Sequence, residues 1–299
     1  MTDSTFPQAN RVSRRFVVRR ALDAGALADR LRPDRLFAAY ALAQLEPGAF
    51  ALSQWWTSET EEGCSVVAHS RGGLGETTFV LGPAAGVQAI LSIHPGPYQT
   101  FVTAMPEHVE ALGSVYGVGA ARPMVRMHVT RERLRVVEGA SVLLHGAQVR
   151  AINRLYGSEG TMTTYLPRHI DEGLYRGVVV EGRLVSVAGT HAISAVHGIA
   201  VVGNVYTHPD YRGRGYATVA TSAVTETLLE RCGDVVLSVS EENEPALQAY
   251  RQLGYGEAGA IVEAAARRRM GSVSTSWRRA LAAFRGRRQG VEVVRLGGG

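Results

Sequence analysis

Hydrophobic and polar residues alternate along this chain in two successive rounds of nearly the same element order. Residues 24–46 carry alanine and leucine at helical spacing, broken at Pro33, and Asp34 is placed to cap the second piece. Apolar runs then predict strands over 51–57, 65–69 and 77–81. Arg71-Gly72-Gly73-Leu74-Gly75 reads as the hairpin between the last two. A helix over 86–94, a strand over 98–103, a helix over 107–116 and a strand over 125–129 close the first round. The second round opens with helices over 146–155 and 166–176, the latter entered after Pro167. Strands over 177–180 and 184–189 flank the turn pair Glu181-Gly182. A strand over 199–206, a long helix over 215–231, a strand over 235–239, a helix over 244–253 and a weak strand over 255–262 complete it. The repeated order predicts an internal duplication with a period of about 135 residues. Residues 1–125 and 126–262 are then two domains, and 263–299 a tail.

Composition agrees with that division. A length of 299 residues suits two domains. The apolar share of 45% and charged share of 20% are those of a folded globular chain. No apolar run approaches the roughly 18 residues of a membrane-spanning helix. Cys64 and Cys232 stand far apart, with no second cysteine or histidine at ligand spacing. That excludes a disulfide framework or a structural metal and fits a reducing compartment. All 32 basic residues are arginines, so no lysine nucleophile or Schiff base exists.

The net charge of +5 is unevenly spread. Residues 263–299 hold nine arginines against Glu263 and Glu292, leaving residues 1–262 slightly acidic. Ser13-Arg14-Arg15-Phe16 has the form of a twin-arginine export signal, but Asp23, Asp29 and Arg30 fall where its apolar segment belongs. A cytoplasmic location is expected. In the tail, Trp277, Leu281 and Phe284 at near-helical spacing among arginines predict a helix that docks on the body or on a second subunit, as in a homodimer. Nucleic acid or anionic lipid ranks below docking as its partner, because an arginine run such as Arg267-Arg268-Arg269 is usually a solvated face. Val291–Leu296 is placed to add an edge strand.

The stretch that carries chemistry is Asn204-Val205-Tyr206-Thr207-His208-Pro209-Asp210-Tyr211-Arg212-Gly213-Arg214-Gly215-Tyr216-Ala217-Thr218. A buried strand runs into a Pro/Gly turn and straight into a helix. Glycines at 213 and 215 let successive N–H groups face one point, and the helix dipole adds positive potential there. This is an anion site suited to a pyrophosphate. The spacing fits neither a dinucleotide fingerprint nor a P-loop, and the latter also needs a lysine.

Arg212-Gly213-Arg214-Gly215-Tyr216-Ala217 resembles the pyrophosphate loop of GNAT-type N-acetyltransferases, [QR]-x-x-G-x-[GA]. Asn243-Glu244-Pro245-Ala246-Leu247-Gln248-Ala249-Tyr250-Arg251-Gln252-Leu253-Gly254-Tyr255 is similar to that family's second motif. The likeness covers roughly residues 136–262 and implies an α/β (α+β) fold. Each half would be a GNAT-like domain, a mixed, mostly antiparallel twisted sheet flanked by helices. It also implies acetyl-CoA as co-substrate, with no metal, and an amine of a small molecule or protein as acceptor. By the same resemblance Val205, Tyr206 and Thr207 would pair with the pantetheine arm. The N–H groups of Gly213, Arg214, Gly215, Tyr216, Ala217 and Thr218, beside Arg212, would hold the pyrophosphate. Asn243 would fix the pantetheine or the adjacent helix, and Tyr250 would protonate the leaving thiolate.

Many relatives carry a glutamate base on the third strand, where this chain has Val201. His191 and His197 are the candidate bases, because an imidazole near pKa 6.5 suits that role. His208, in the turn, is assigned a structural role, and Asn204 faces the acceptor without being able to act as a base. Neither cysteine lies in an activating motif, so direct attack by the amine is expected. The first half lacks the loop: Leu81-Gly82-Pro83-Ala84-Ala85-Gly86 stands in its place, and Pro83 removes a donor. That half is read as non-catalytic, completing the sheet and walling the acceptor cleft. Trp55 and Trp56 point to opposite faces of their strand, so at least one is core. The rival functions are a non-catalytic acyl-CoA-binding module and a polyanion-binding protein acting through the tail.

Overall fold

The computed structural model describes residues 14–72, 75–119, 122–160, 164–269 and 291–296. The first half begins β1 (Arg14–Ala21), α1 (Ala24–Leu31), α2 (Ala39–Ala43), α3 (Pro47–Phe50), β2 (Ser53–Thr60) and β3 (Gly63–Gly72). It continues β4 (Gly75–Leu81), α4 (Ala84–Ile93), β5 (Gln99–Ala104), α5 (Val109–Gly113), β6 (Tyr116–Val118) and β7 (Arg122–Val129). The second half begins β8 (Val142–Leu144), α6 (Val149–Tyr156), α7 (Pro167–Asp171), β9 (Tyr175–Val180) and β10 (Arg183–Ser194). It ends β11 (Ile199–Thr207), α8 (Tyr216–Leu228), β12 (Asp234–Ser240), α9 (Glu244–Gln252) and β13 (Gly256–Arg268), with β14 (Val291–Leu296) after it.

All fourteen strands join one sheet, in the order β14-β1-β2-β3-β4-β5-β13-β7-β12-β11-β10-β9-β8, with β6 on β13. From either edge inward the pattern is the same. An antiparallel meander (β1–β4, or β8–β11) ends on a parallel pair, β4 with β5 or β11 with β12. Helices α1 and α2 cover Val66, Ala68, Phe79 and Leu81, while Val67 and Val80 face α4. The second half repeats this: Val187 faces α6, and Val185, Ala200 and Val202 face α8. Ile199, Val201 and Val236 share the α1/α2 core, so these two helices lie over the middle of the sheet and serve both halves.

At the centre each half gives its last strand to the other. β7 lies between β12 and β13, and its Met127 and Val129 pack in the α8 core. β13 pairs with β5, and its Val262 and Ala266 pack in the α4 core. Division points at 125/126 and 262/263 therefore fall inside β7 and β13. A polar anchor reinforces the exchange. Asp234 at the start of β12 pairs with Arg35 of the first half and lies 2.6 Å from Nε2 of His128 on β7.

Several elements differ from expectation. The arginine-rich start forms strand β1, because Phe16 and Val18 alternate into the core while Arg15 and Arg19 stay outside. The helix expected over 166–176 stops at Asp171. Leu174 N–H donates to Thr190 Oγ1 (3.0 Å), and Tyr175 enters the sheet. Arg267 and Arg269 are exposed and Arg268 is half-buried, as on a solvated face, and they donate in turn to Tyr98 Oη (2.9 Å), Tyr116 O (3.2 Å) and Gly96 O (2.9 Å). β14 forms the expected edge strand, antiparallel to β1. The expected tail helix at Trp277, Leu281 and Phe284 lies outside the described residues. Trp55 is core, and Trp56 stacks on His94 from the other face, with ring centroids 3.4 Å apart. Among the described residues no helix is long and apolar enough to cross a membrane.

Because the halves share strands, Asp234→Ala should shift one cooperative unfolding transition and not split it. The expected loss is about 2 kcal/mol, since Arg35 and His128 lose their carboxylate in a part-buried site. A urea titration followed by far-UV circular dichroism reads this, and two separate steps would contradict the shared sheet.

Candidate functional site

β11 and β12 pair in parallel only at Ile199–Asp234, Ala200–Val235 and Val201–Val236, and then part. β11 stays on β10 as far as Thr207, with two register shifts. One puts an extra residue at Asn204-Val205 of β11, the other at His191 of β10. Asn204 has φ +54°, a left-handed conformation that asparagine tolerates better than branched residues do. Three tyrosines hold it there. Tyr156 Oη donates to its carbonyl, Tyr165 Oη donates to its Oδ1 (2.8 Å), and its Nδ2 donates to Tyr175 Oη (2.9 Å). Burial raises the pKa of each of these phenols, which keeps them protonated as donors.

Beyond the parting, Val205 turns toward the α8 core and Tyr206 toward the α6 core. Thr207 Oγ1 is 2.8 Å from Ser186 Oγ, and Thr207 O accepts from Arg212 Nε (3.2 Å). Arg212 also pairs with Glu159, which accepts from Tyr206 Oη (2.8 Å). Arg212 and Tyr206 hold the Glu159 carboxyl below the usual carboxylate range. His208 caps the single turn at 209–211, accepting at Nδ1 from Asp210 N–H (3.3 Å), and its Nε2 lies 2.7 Å from Arg183 Nη2. It has the structural place expected of it.

The turn into α8 has the geometry of an anion cradle. Gly213 and Gly215 have φ +74° and +76°, and a Cβ at either would meet no atom within 4 Å. Gly215 opens α8 without a side-chain cap. Among the described residues, the N–H groups of 213–218 have no hydrogen-bond acceptor. A helix start of this length carries partial positive charge, so six such donors favour a bound phosphate chain. Arg214 adds charge beside it, stacked 5.4 Å from the Tyr211 ring centroid. The first half has no counterpart. Its chain runs directly from the last parallel pair at Phe79 to α4 at Ala84, and a Cβ at Gly82 would collide with Cys64 O.

Tyr250 and His191 stand at the parting on opposite faces of the sheet. Tyr250, on α9, is 8% exposed in the core that also receives Val205 and Tyr216. Burial pushes its pKa up to about 12. Asn243 caps α9 by accepting from Ala246 N–H (3.3 Å), the helix-fixing half of its expected role. His191 lies over Gly203 on the α2 face, where a Cβ at Gly203 would strike its ring. The ring is exposed along one side. The protein around it, and secondarily Arg126, disfavour the imidazolium and push its pKa down to about 4. His197 is not part of this grouping. It precedes β11 at the end away from the turn, and its carbonyl accepts from Arg35 (2.8 Å).

Sequence reasoning missed the residues that complete the trough. Tyr40 of α2 has its ring 6.1 Å from that of His191 and 5.3 Å from the Arg126 guanidinium. Arg126 of β7 lies 3.7 Å from Glu263 of β13, whose Oε1 accepts from Ser238 Oγ of β12 (2.8 Å). No local motif marks these residues, because the exchanged strands bring them together. A separate cavity of about 500 Å³ lies in the first half, lined by Arg20, Gln54, His69, Arg71, His94 and Arg268. It is built from the ends of β1–β3 and the chain after α4, away from the glycine turn.

Residues 150–255, within the second half of this chain, match the model of the Acetyltransferase (GNAT) family. Solved structures agree at the level of the fold. A GCN5-related N-acetyltransferase from Kribbella flavida superposes with a TM-score of 0.53 at 18% identity, covering 79% of this chain and 97% of that one. One from Sphaerobacter thermophilus gives 0.53 at 17% identity, covering 86% and 96%. A tandem GNAT protein from the clavulanic acid biosynthesis pathway gives 0.50 at 13%, covering 86% and 99%. No curated protein matches the chain in sequence.

Gly215→Glu should weaken binding of adenosine diphosphate at least 10-fold by isothermal titration. Open space receives the side chain, so the melting temperature should fall by only a few degrees, the cost of a non-glycine residue at positive φ. Unchanged affinity would show that the phosphate chain binds elsewhere.

Proposed function

We propose that the protein is an acetyl-CoA-dependent N-acetyltransferase that moves the acetyl group to a primary amine by direct attack. The observation that carries this reading is the row of N–H groups at 213–218 without an acceptor among the described residues, exposed at 213–215 and next to a strand that has left its neighbour. These groups fit a pyrophosphate, and the free edge of Val205–Thr207 fits an extended amide-bearing arm by strand addition. Acetyl-CoA, when bound, supplies the activated thioester.

The remaining work falls to the chain. Burial keeps the Tyr250 phenol protonated, so it can donate a hydrogen bond to a departing thiolate, and complete proton transfer to a thiolate of pKa roughly 8.5 runs uphill. The amine enters from the α2 face, between His191 and the β12 wall. His191 stays neutral above about pH 4 and offers a ring nitrogen as an acceptor to the amine N–H. An imidazole of such low basicity is a poor base for an alkylammonium, so an amine that docks charged loses its proton to solvent before attack. The cysteines support direct attack: burial pushes the Cys64 thiol up to about 11 and raises Cys232 as well. The first half acts as wall and roof, through Arg126 and Tyr40, without a donor site of its own.

Tyr250→Phe should lower kcat about 100-fold with the acetyl-CoA dissociation constant within twofold, since general acid catalysis contributes 10²–10⁴. Undiminished thiol release would remove Tyr250 from the chemistry. In the wild type, kcat/KM should climb with pH toward the pKa of the amine itself, without an inflection near 6.5. Such an inflection, lost in His191→Gln, would mean that His191 titrates as an ordinary imidazole and serves as the base.

A further inference from the structure

The residue in the trough that its surroundings explain least is Arg126. Its side chain is 2% exposed, yet Nε, Nη1 and Nη2 make no hydrogen bond among the described residues. The guanidinium is held by charge alone. Glu263 lies 3.7 Å from Nη2, and the face of Tyr40 lies 5.3 Å from its carbon. Buried charged groups in folded proteins are almost always hydrogen-bonded, and a guanidinium offers five donors in a fixed plane. The register places it where a substrate would need it. Arg126 is opposite Ser238, two residues past the last parallel pair of β12, on the face where His191 lies across the opening over Gly203.

Resting on the acetyltransferase reading above, we propose that the acceptor is a small amine that also bears a carboxylate, of the amino-acid class. Its carboxylate takes the planar donors of Arg126, and its amine lies toward Glu263 and His191. A guanidinium matches a carboxylate with two parallel N–H···O bonds, which fixes the direction of the rest of the molecule. The neighbouring Glu263 carboxylate selects the same class. It attracts an ammonium as the amine docks, and it opposes a doubly charged phosphate at Arg126. The Arg126–Glu263 pair is thus the complement of a zwitterion. A polyamine or an exposed lysine of a protein brings only positive charge to this pair.

Matched acceptors test the proposal on the full chain with saturating acetyl-CoA. Each amino acid is compared with its carboxamide, its decarboxylated amine and its aminophosphonate, and thiol release is followed. The best amino acid should exceed its carboxamide by at least 50-fold in kcat/KM. Arg126→Gln should reduce that ratio to within threefold, while the acetyl-CoA dissociation constant is unchanged. Arg126→Lys keeps the charge and loses the fork, so it should reduce the ratio at least 10-fold, which covers the case in which the glutamine variant does not fold. Carboxamides, decarboxylated amines or lysine-bearing peptides used as well as amino acids would overturn the proposal and leave the acetyltransferase reading intact. A preferred aminophosphonate would overturn the carboxylate assignment. If no amine supports thiol release, the same panel is titrated by nuclear magnetic resonance in the presence of CoA. Carboxylate-dependent binding lost in Arg126→Gln would then uphold the recognition site while the transfer reading fails, and no binding would sink both.

Discussion

The structure depends on the exchange of β7 and β13 at the middle of the sheet. A strand with a neighbour on each side satisfies its backbone donors and acceptors completely, whereas the inner edges of β5 and β12 would otherwise be open. Each exchanged strand also carries its apolar residues into the other half's core, Met127 and Val129 one way and Val262 and Ala266 the other. Neither half can therefore close its core alone. The same exchange places α1 and α2 over both halves and sets Arg126 and Glu263 beside β12. Shared stability and the assembly of the trough have one cause.

The second constraint is local, at Asn204. A left-handed non-glycine residue costs on the order of 1 kcal/mol, and three hydrogen bonds with buried tyrosines, two accepted and one donated by Asn204, contribute roughly 1 kcal/mol each. The bulge is therefore the stable state of this strand and not a strain awaiting a ligand. It lies three residues after the last β11–β12 pair at Val201, on the stretch whose edge toward β12 is free. Tyr156, Tyr165 and Tyr175 come from three separate segments packed on one face. The opening is thus set by the folded core of α6 and β9 and does not require donor binding to form.

Much of this was legible in the sequence where the signal is contiguous. The glycine turn, the cap at Asn243 and the buried Tyr250 each follow from short spacings, and most elements lie within a few residues of the periodicity that predicts them. The exchange was not legible, because element order does not state which strand lies beside which. Tyr40, Arg126 and Glu263 are separated by most of the chain, and Glu159 reaches Arg212 across 53 residues. β1 escaped notice for a compositional reason: arginine pairs at 14–15 and 19–20 mask the Phe16/Val18 alternation. His197 could have been set aside from sequence, since the length of β11 itself separates it from the turn by roughly 25 Å at about 3.3 Å per residue.

The first half lacks a counterpart of the glycine turn for a geometric reason. In the first half, the direct path from Phe79 to Ala84 and the packing of Gly82 on Cys64 leave no room for a parted strand. Freed from that geometry, its strands can be used as walls. β7 is the clearest case: it is an inner strand on both sides, so any charge on its α2 face is buried and must be answered by a partner or a ligand. Arg126 is answered only in part, by Glu263 from the reciprocal strand, and the guanidinium and carboxylate lie together in the buried middle of the sheet. A single GNAT domain would have to build such a pair from its own loops. Here two neighbouring strands supply it, so the charges are held by the sheet and not by loops.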